Sequence, residues 1–145
     1  MLNFKIVIPS KNRLELFKNT CLKFLIDSNL IKNDIYIFVD SKDYEKYKNE
    51  LNGLYKINVI LGKTGLIPQR NAIKDFFPND TLLLILDDDI KGVNYNGNID
   101  LNIIISQDFR HMIDKNILLG SINPTNNGYY KQCKYLYGLY FCCGC

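Results

Sequence analysis

At 145 residues, 47% of them apolar, the chain holds material for one core, and we read residues 1–145 as a single domain. The net charge of +3 comes almost wholly from scattered Lys, with only three Arg, so no dense basic stripe announces a nucleic-acid backbone as partner. No run approaches the ~20 apolar residues of a membrane span, and Met1-Leu2-Asn3-Phe4-Lys5 lacks the basic-then-apolar pattern of a signal peptide, so a soluble cytoplasmic protein is expected.

Phe4 to Pro9 reads as a short apolar strand, followed by Ser10-Lys11-Asn12-Arg13. A helix comes next, with Leu14, Phe17, Cys21, Phe24 and Leu25 at helical spacing and Ser10 placed as its N-cap. Ile35 to Val39 is a second strand ending in Asp40-Ser41, and Tyr44, Tyr47 and Leu51 mark an amphipathic helix after it. Lys56 to Leu61 predicts a third strand. Gly62-Lys63-Thr64-Gly65 follows, then a helix from about Ile67 to Phe77 with Pro68 in its first turn, a Pro78-Asn79-Asp80 turn and a Thr81 to Leu86 strand. Strands and helices that alternate at this spacing imply a mainly parallel sheet with helices on both faces, where ligands bind beyond the carboxyl ends of the strands.

Four polar clusters fall just after those carboxyl ends: Ser10 to Arg13, Asp40, Gly62 to Gly65 and Asp87 to Asp89. The last is the most informative, because an apolar strand that ends in three carboxylates concentrates negative charge at a strand mouth. Such a group calls for a hard divalent cation, Mg²⁺ or Mn²⁺; the plainer alternative is a solvated acidic turn. At the helix opened by Gly65, free backbone amides and the helix dipole favour an anion, and Arg70 adds a fork donor; an exposed first turn is the plainer reading there. Gly62-Lys63-Thr64 imitates the end of a phosphate-binding P-loop, but Ile57 stands where that pattern needs its first glycine, so a P-loop is excluded.

Towards the end of the chain, Asp100, Asp108 and Asp114 sit in helical context and read as solvated face residues rather than a general base. Tyr129, Tyr130, Tyr135, Tyr137 and Tyr140 read as core or edge-strand aromatics, and residues 135–145 as an apolar strand. An odd five Cys without a signal peptide argues against a disulfide framework. Cys133, Cys142, Cys143 and Cys145 lack C-x-x-C spacing, and His111 lies far upstream, so zinc is not expected.

The combination Lys5-Ile6-Val7-Ile8-Pro9-Ser10-Lys11-Asn12-Arg13, Phe38-Val39-Asp40, Gly65 with Gln69-Arg70-Asn71-Ala72, and Leu86-Asp87-Asp88-Asp89 resembles the nucleotide-sugar-binding half of GT-A glycosyltransferases of the family 2 type. The resemblance covers about residues 4–92, and residues 93–145 would begin the acceptor half. It implies a Rossmann-like GT-A fold and a metal-dependent transferase using a nucleotide sugar, UDP-linked by family habit. Pro9, Ser10 and Arg13 would line the base and ribose pocket, Asp40 would contact the base, Arg70 and Asn71 would lie under the nucleotide, and Gly65 and Gln69 would also belong to the nucleotide-sugar site. Asp87 and Asp89 would hold Mn²⁺ or Mg²⁺ and the diphosphate, with Asp88 also at the nucleotide sugar.

Within the superfamily, the Pro-Ser-x-x-Arg opening and the Asp-Asp-Asp-Ile ending look most like viral and phage-type enzymes, including TET-associated glycosyltransferases. For a viral product the location would be the host cytoplasm. A modified DNA base, a protein, a lipid and a glycan all stay open as acceptor. GT-A enzymes normally continue for about another hundred residues, so the chain is expected to be truncated at its C-terminus, with no catalytic base assigned. The alternative reading is a non-catalytic or truncated nucleotide-binding module of the same fold. A nucleotidyltransferase would want glycine in the loop after the first strand, and a phospho-acceptor domain would want paired acids there; Ser10-Lys11-Asn12-Arg13 offers neither.

Overall fold

The computed structural model describes residues 2–93 and 100–120, so the strand and the aromatic and cysteine groups read in the last 25 residues lie outside the described residues. Four strands, β1 (Lys5–Pro9), β2 (Ile35–Val39), β3 (Ile57–Leu61) and β4 (Leu83–Ile85), form one sheet in the order β3-β2-β1-β4. Every pairing is parallel, with Ile6 opposite Ile35 and Leu84, and Ile37 opposite Val59. The architecture is therefore α/β, compatible with a Rossmann-like fold.

Residue alternation along β1 divides the interior. Ile6 and Ile8 face the larger core, where they meet Leu14, Phe17, Cys21, Phe24 and Leu25 of the first helical segment. Tyr47 and Leu51 of α3 (Tyr44–Leu51) and Leu101, Ile105 and Phe109 of α5 (Leu101–Asp114) close the same core. Val7 faces the opposite side, where Phe38 and Ile73 of α4 (Leu66–Phe76) form a smaller core edged by Tyr36, Ile60, Phe77 and Leu83. Tyr36, Phe38, Phe76 and Phe77 meet mainly edge-on there, with centroids 4.9–6.2 Å apart. Helices thus cover both faces, as the alternation of elements implied.

The differences from expectation are local. The expected long helix is α1 (Leu14–Phe17), a π-helical turn (Lys18–Leu22) and α2 (Lys23–Asp27) in succession, because Thr20 Oγ1 bonds back to the Leu16 carbonyl at 2.6 Å and loosens the i→i−4 ladder. The N-cap of α1 is Arg13, without a side-chain cap bond, and not Ser10, whose hydroxyl is used elsewhere. The fourth strand is regular only over Leu83–Ile85, although Lys5 N–H to the Leu82 carbonyl and Leu86 N–H to the Val7 carbonyl extend its pairing with β1 at both ends. Its apolar sequence suits a strand covered on both faces; among the described residues it pairs only with β1, and Ile85 is 54% exposed.

On α5, Asp100 is an N-cap rather than a face residue: its carboxylate accepts the Asn102 N–H at 2.8 Å. The Asn102 side chain and backbone, bonded to the ionised form, hold its pKa below the usual carboxylate value. Asp108 and Asp114 are exposed.

Candidate functional site

Strand order places the site. β1 has β2 on one side and β4 on the other, so the chain leaves β1 and β4 at the point where the sheet reverses its winding, which is where doubly wound sheets open a crevice. The two loops that emerge there carry Ser10 to Arg13 and Asp87 to Asp89.

A buried hydrogen-bonded chain joins those loops. Ser10 Oγ donates to Asp88 Oδ2 at 2.6 Å and lies 2.8 Å from the Tyr47 hydroxyl, which accepts the Arg13 backbone N–H at 3.1 Å. Ser10 has a single proton and gives it to the carboxylate, so Tyr47 must donate to Ser10. The direction is set throughout: Arg13 N–H to Tyr47 O–H to Ser10 O–H to Asp88 carboxylate. Ser10, Tyr47 and Asp88 are 6%, 0% and 6% exposed, which makes each bond costly to leave unmade. Burial pushes the Tyr47 phenol above its ordinary pKa, opposed by the Arg13 N–H that its oxygen accepts.

Two further contacts set the position of the acids. The π turn of the first helical segment aims Thr20 Oγ1 at the Asp88 carbonyl, 3.2 Å away. The Arg13 guanidinium lies 3.3 Å from Asp88 Oδ1 and 3.4 Å from Asp89 Oδ2. Asp87 and Asp89 are exposed on either side of the buried Asp88. The negative potential of the three reaches Cys21 behind them, whose thiol is pushed up to about 12, first by burial and then by Asp88, Asp89 and Asp87. A thiol so protonated is a packing residue rather than a nucleophile.

Asp40, at the carboxyl end of β2, is 3% exposed; its Oδ1 accepts the Lys42 N–H at 3.1 Å and its carbonyl starts the turn into α3. Pro9 ends β1 and is half-buried. Gly65 precedes α4 with φ of 100°, a left-handed conformation that suits glycine, and Arg70 and Asn71 are exposed in the following turns.

Gln69 has a structural duty: it is 7% exposed, its Oε1 accepts the Lys63 N–H at 2.5 Å, and a Cβ at Gly62 would come within 2.1 Å of that oxygen. The side chain therefore latches α4 to the end of β3. Gln69→Ala should lower stability by about 1–2 kcal/mol through the lost acceptor, read from the urea midpoint at unchanged m-value.

The site thus brings Ser10, Arg13, Asp88 and Asp89 into direct contact, and sets Asp40 and the α4 N-terminus at neighbouring strand ends. Tyr47 and Thr20 belong to it too, although in the sequence Tyr47 shows only as part of the apolar face of α3 and nothing marks Thr20. The available signal was a tyrosine at a fully buried helical position, where its hydroxyl needs a partner.

As for a cation, among the described residues no group of three or more His, Cys, Asp or Glu stands ready to enclose one. The exposed Asp87 and Asp89 carboxylates are the hard oxygen donors that Mg²⁺ and Mn²⁺ take, and such ions are commonly held by one or two carboxylates with substrate phosphates and water completing the shell. The donor set fits that mode. No protein-family model matches this chain, and no curated protein matches it at significant similarity.

Proposed function

We propose that the protein is a metal-dependent glycosyltransferase of GT-A type, moving a sugar from a nucleotide-sugar donor, probed first as UDP-linked, to an acceptor hydroxyl. The observation that supports it best is the joining of the β1 loop to the acid triad at the switch point of a parallel sheet, through Ser10–Asp88 and Arg13–Asp88/Asp89.

On this reading Asp40 faces the nucleoside, with one carboxylate oxygen fixed by the Lys42 N–H. The first turns of α4 present amide dipoles and Arg70 to the diphosphate. Ser10 and Tyr47 hold Asp88 in place, so the loop backbone that carries Asp87 and Asp89 is fixed before the donor arrives. Asp87 and Asp89 would hold the cation, whose chemistry is to neutralise the departing nucleoside diphosphate. The second reading is a nucleotide-binding module without turnover, in which Asp100 serves only to cap α5.

Calorimetric titration of UDP, GDP and UDP-glucose, with Mn²⁺ and with EDTA, followed by a donor-hydrolysis assay, tests the assignment. Metal-dependent uridine binding with slow hydrolysis is expected. Binding without hydrolysis selects the module, and a folded protein that binds no nucleotide overturns both readings.

A further inference from the structure

Arg13 is the sole ion-pair partner of Asp88 and Asp89 among the described residues. Its backbone is pinned at both polar groups: the N–H donates to the Tyr47 hydroxyl at 3.1 Å, and the carbonyl accepts the Phe17 N–H at 2.8 Å to begin α1. The preceding residue is held too, with Asn12 in a left-handed conformation (φ 52°) and its N–H donated to Asp43 Oδ2 at 2.6 Å. The side chain is held differently. It is 54% exposed, and its two ion-pair contacts, at 3.3 and 3.4 Å, are longer than a well-formed charge-assisted bond of roughly 2.7–2.9 Å. A rigid pivot thus carries a loosely held guanidinium placed directly against the acids.

We propose that Arg13 is an internal counter-ion for this site, covering Asp88 and Asp89 when no donor is bound and swinging to the donor's phosphate oxygens when one arrives. The proposal rests on the reading above, in which Asp87 and Asp89 receive a divalent cation. Its consequence is linkage. Cation alone must compete with the guanidinium, whereas donor phosphate draws the guanidinium away and opens the acids, so nucleotide and cation each strengthen the binding of the other by the same factor.

The test is Mn²⁺ titration followed by the paramagnetic signal of the free ion, with and without UDP, on the wild type, Arg13→Gln and Arg13→Lys. In Arg13→Gln, Mn²⁺ alone should bind about fivefold more tightly than in the wild type, UDP more weakly, and the factor by which UDP improves Mn²⁺ binding should shrink. Arg13→Lys, which keeps the charge, should stay near the wild type for Mn²⁺ alone. Unchanged or weaker Mn²⁺ binding in Arg13→Gln, alongside normal Mn²⁺ and UDP binding by the wild type, overturns the counter-ion role and leaves the glycosyltransferase reading standing. A folded wild type and a folded Arg13→Gln that bind neither Mn²⁺ nor UDP overturn both.

Discussion

Asp88→Ala is expected to lower stability by about 2–3 kcal/mol, because it strips the terminal acceptor from a buried chain and leaves that chain, whose Ser10 hydroxyl still meets Tyr47, with one donor proton too many. For a domain of this size that is a melting-temperature drop of roughly 5–10 °C. Asp88→Asn keeps the shape and one acceptor oxygen for Ser10, so its loss should be clearly smaller. The Arg13 pairing adds little to either value, since the guanidinium is half exposed and such pairs contribute at most about 1 kcal/mol. Asp87→Ala is the control: its side chain is exposed, and the change should stay within about 0.5 kcal/mol. Equal melting temperatures for Asp88→Ala and Asp87→Ala would mean that the triad is a solvated turn and that the network does not hold in solution.

The largest expected effect on binding lies at the two acids that flank Asp88. Replacing Asp87 and Asp89 together by Asn should weaken Mn²⁺-dependent UDP binding by at least about a hundredfold, because a hard cation loses both charged ligands while the amides that replace them are weaker donors. Both side chains are exposed, so the double variant should melt close to the wild type. UDP binding in EDTA, where it is measurable, should change far less. Full metal-dependent affinity in a folded double variant would remove these residues from the site. The pair of experiments separates two functions of one tripeptide: the buried central acid bonds the loops together, and on the proposed reading the exposed outer acids receive the cation.

The elements that build the sheet were legible because their signals are local. Ile35–Val39 is a run of β-formers, and Tyr44, Tyr47 and Leu51 repeat at helical spacing; both predicted spans match the structure. The third strand and α4 shift by a single residue at their ends, where fraying and turn geometry decide. Ser10 is not the cap that its position suggests, for a physical reason. A serine between a strand and a helix has two uses for its hydroxyl, and a carboxylate acceptor brought in from 78 residues away outcompetes the backbone amides of a helix start. Thr20 shows the same limit, since the π turn it creates depends on what its hydroxyl meets.

By itself the sequence determined that this is an α/β chain, which faces of its strands and helices are apolar, and that its polar clusters gather after strand ends, because periodicity and turn composition act over a few residues. Tertiary structure alone decided which of those ends meet. The order β3-β2-β1-β4 sets β1 between β2 and β4, and this brings Ser10 and Arg13 against Asp88 while Tyr47 reaches them from α3. Strand order depends on non-local pairing and on how two cores close around one sheet, and no window of sequence contains that information.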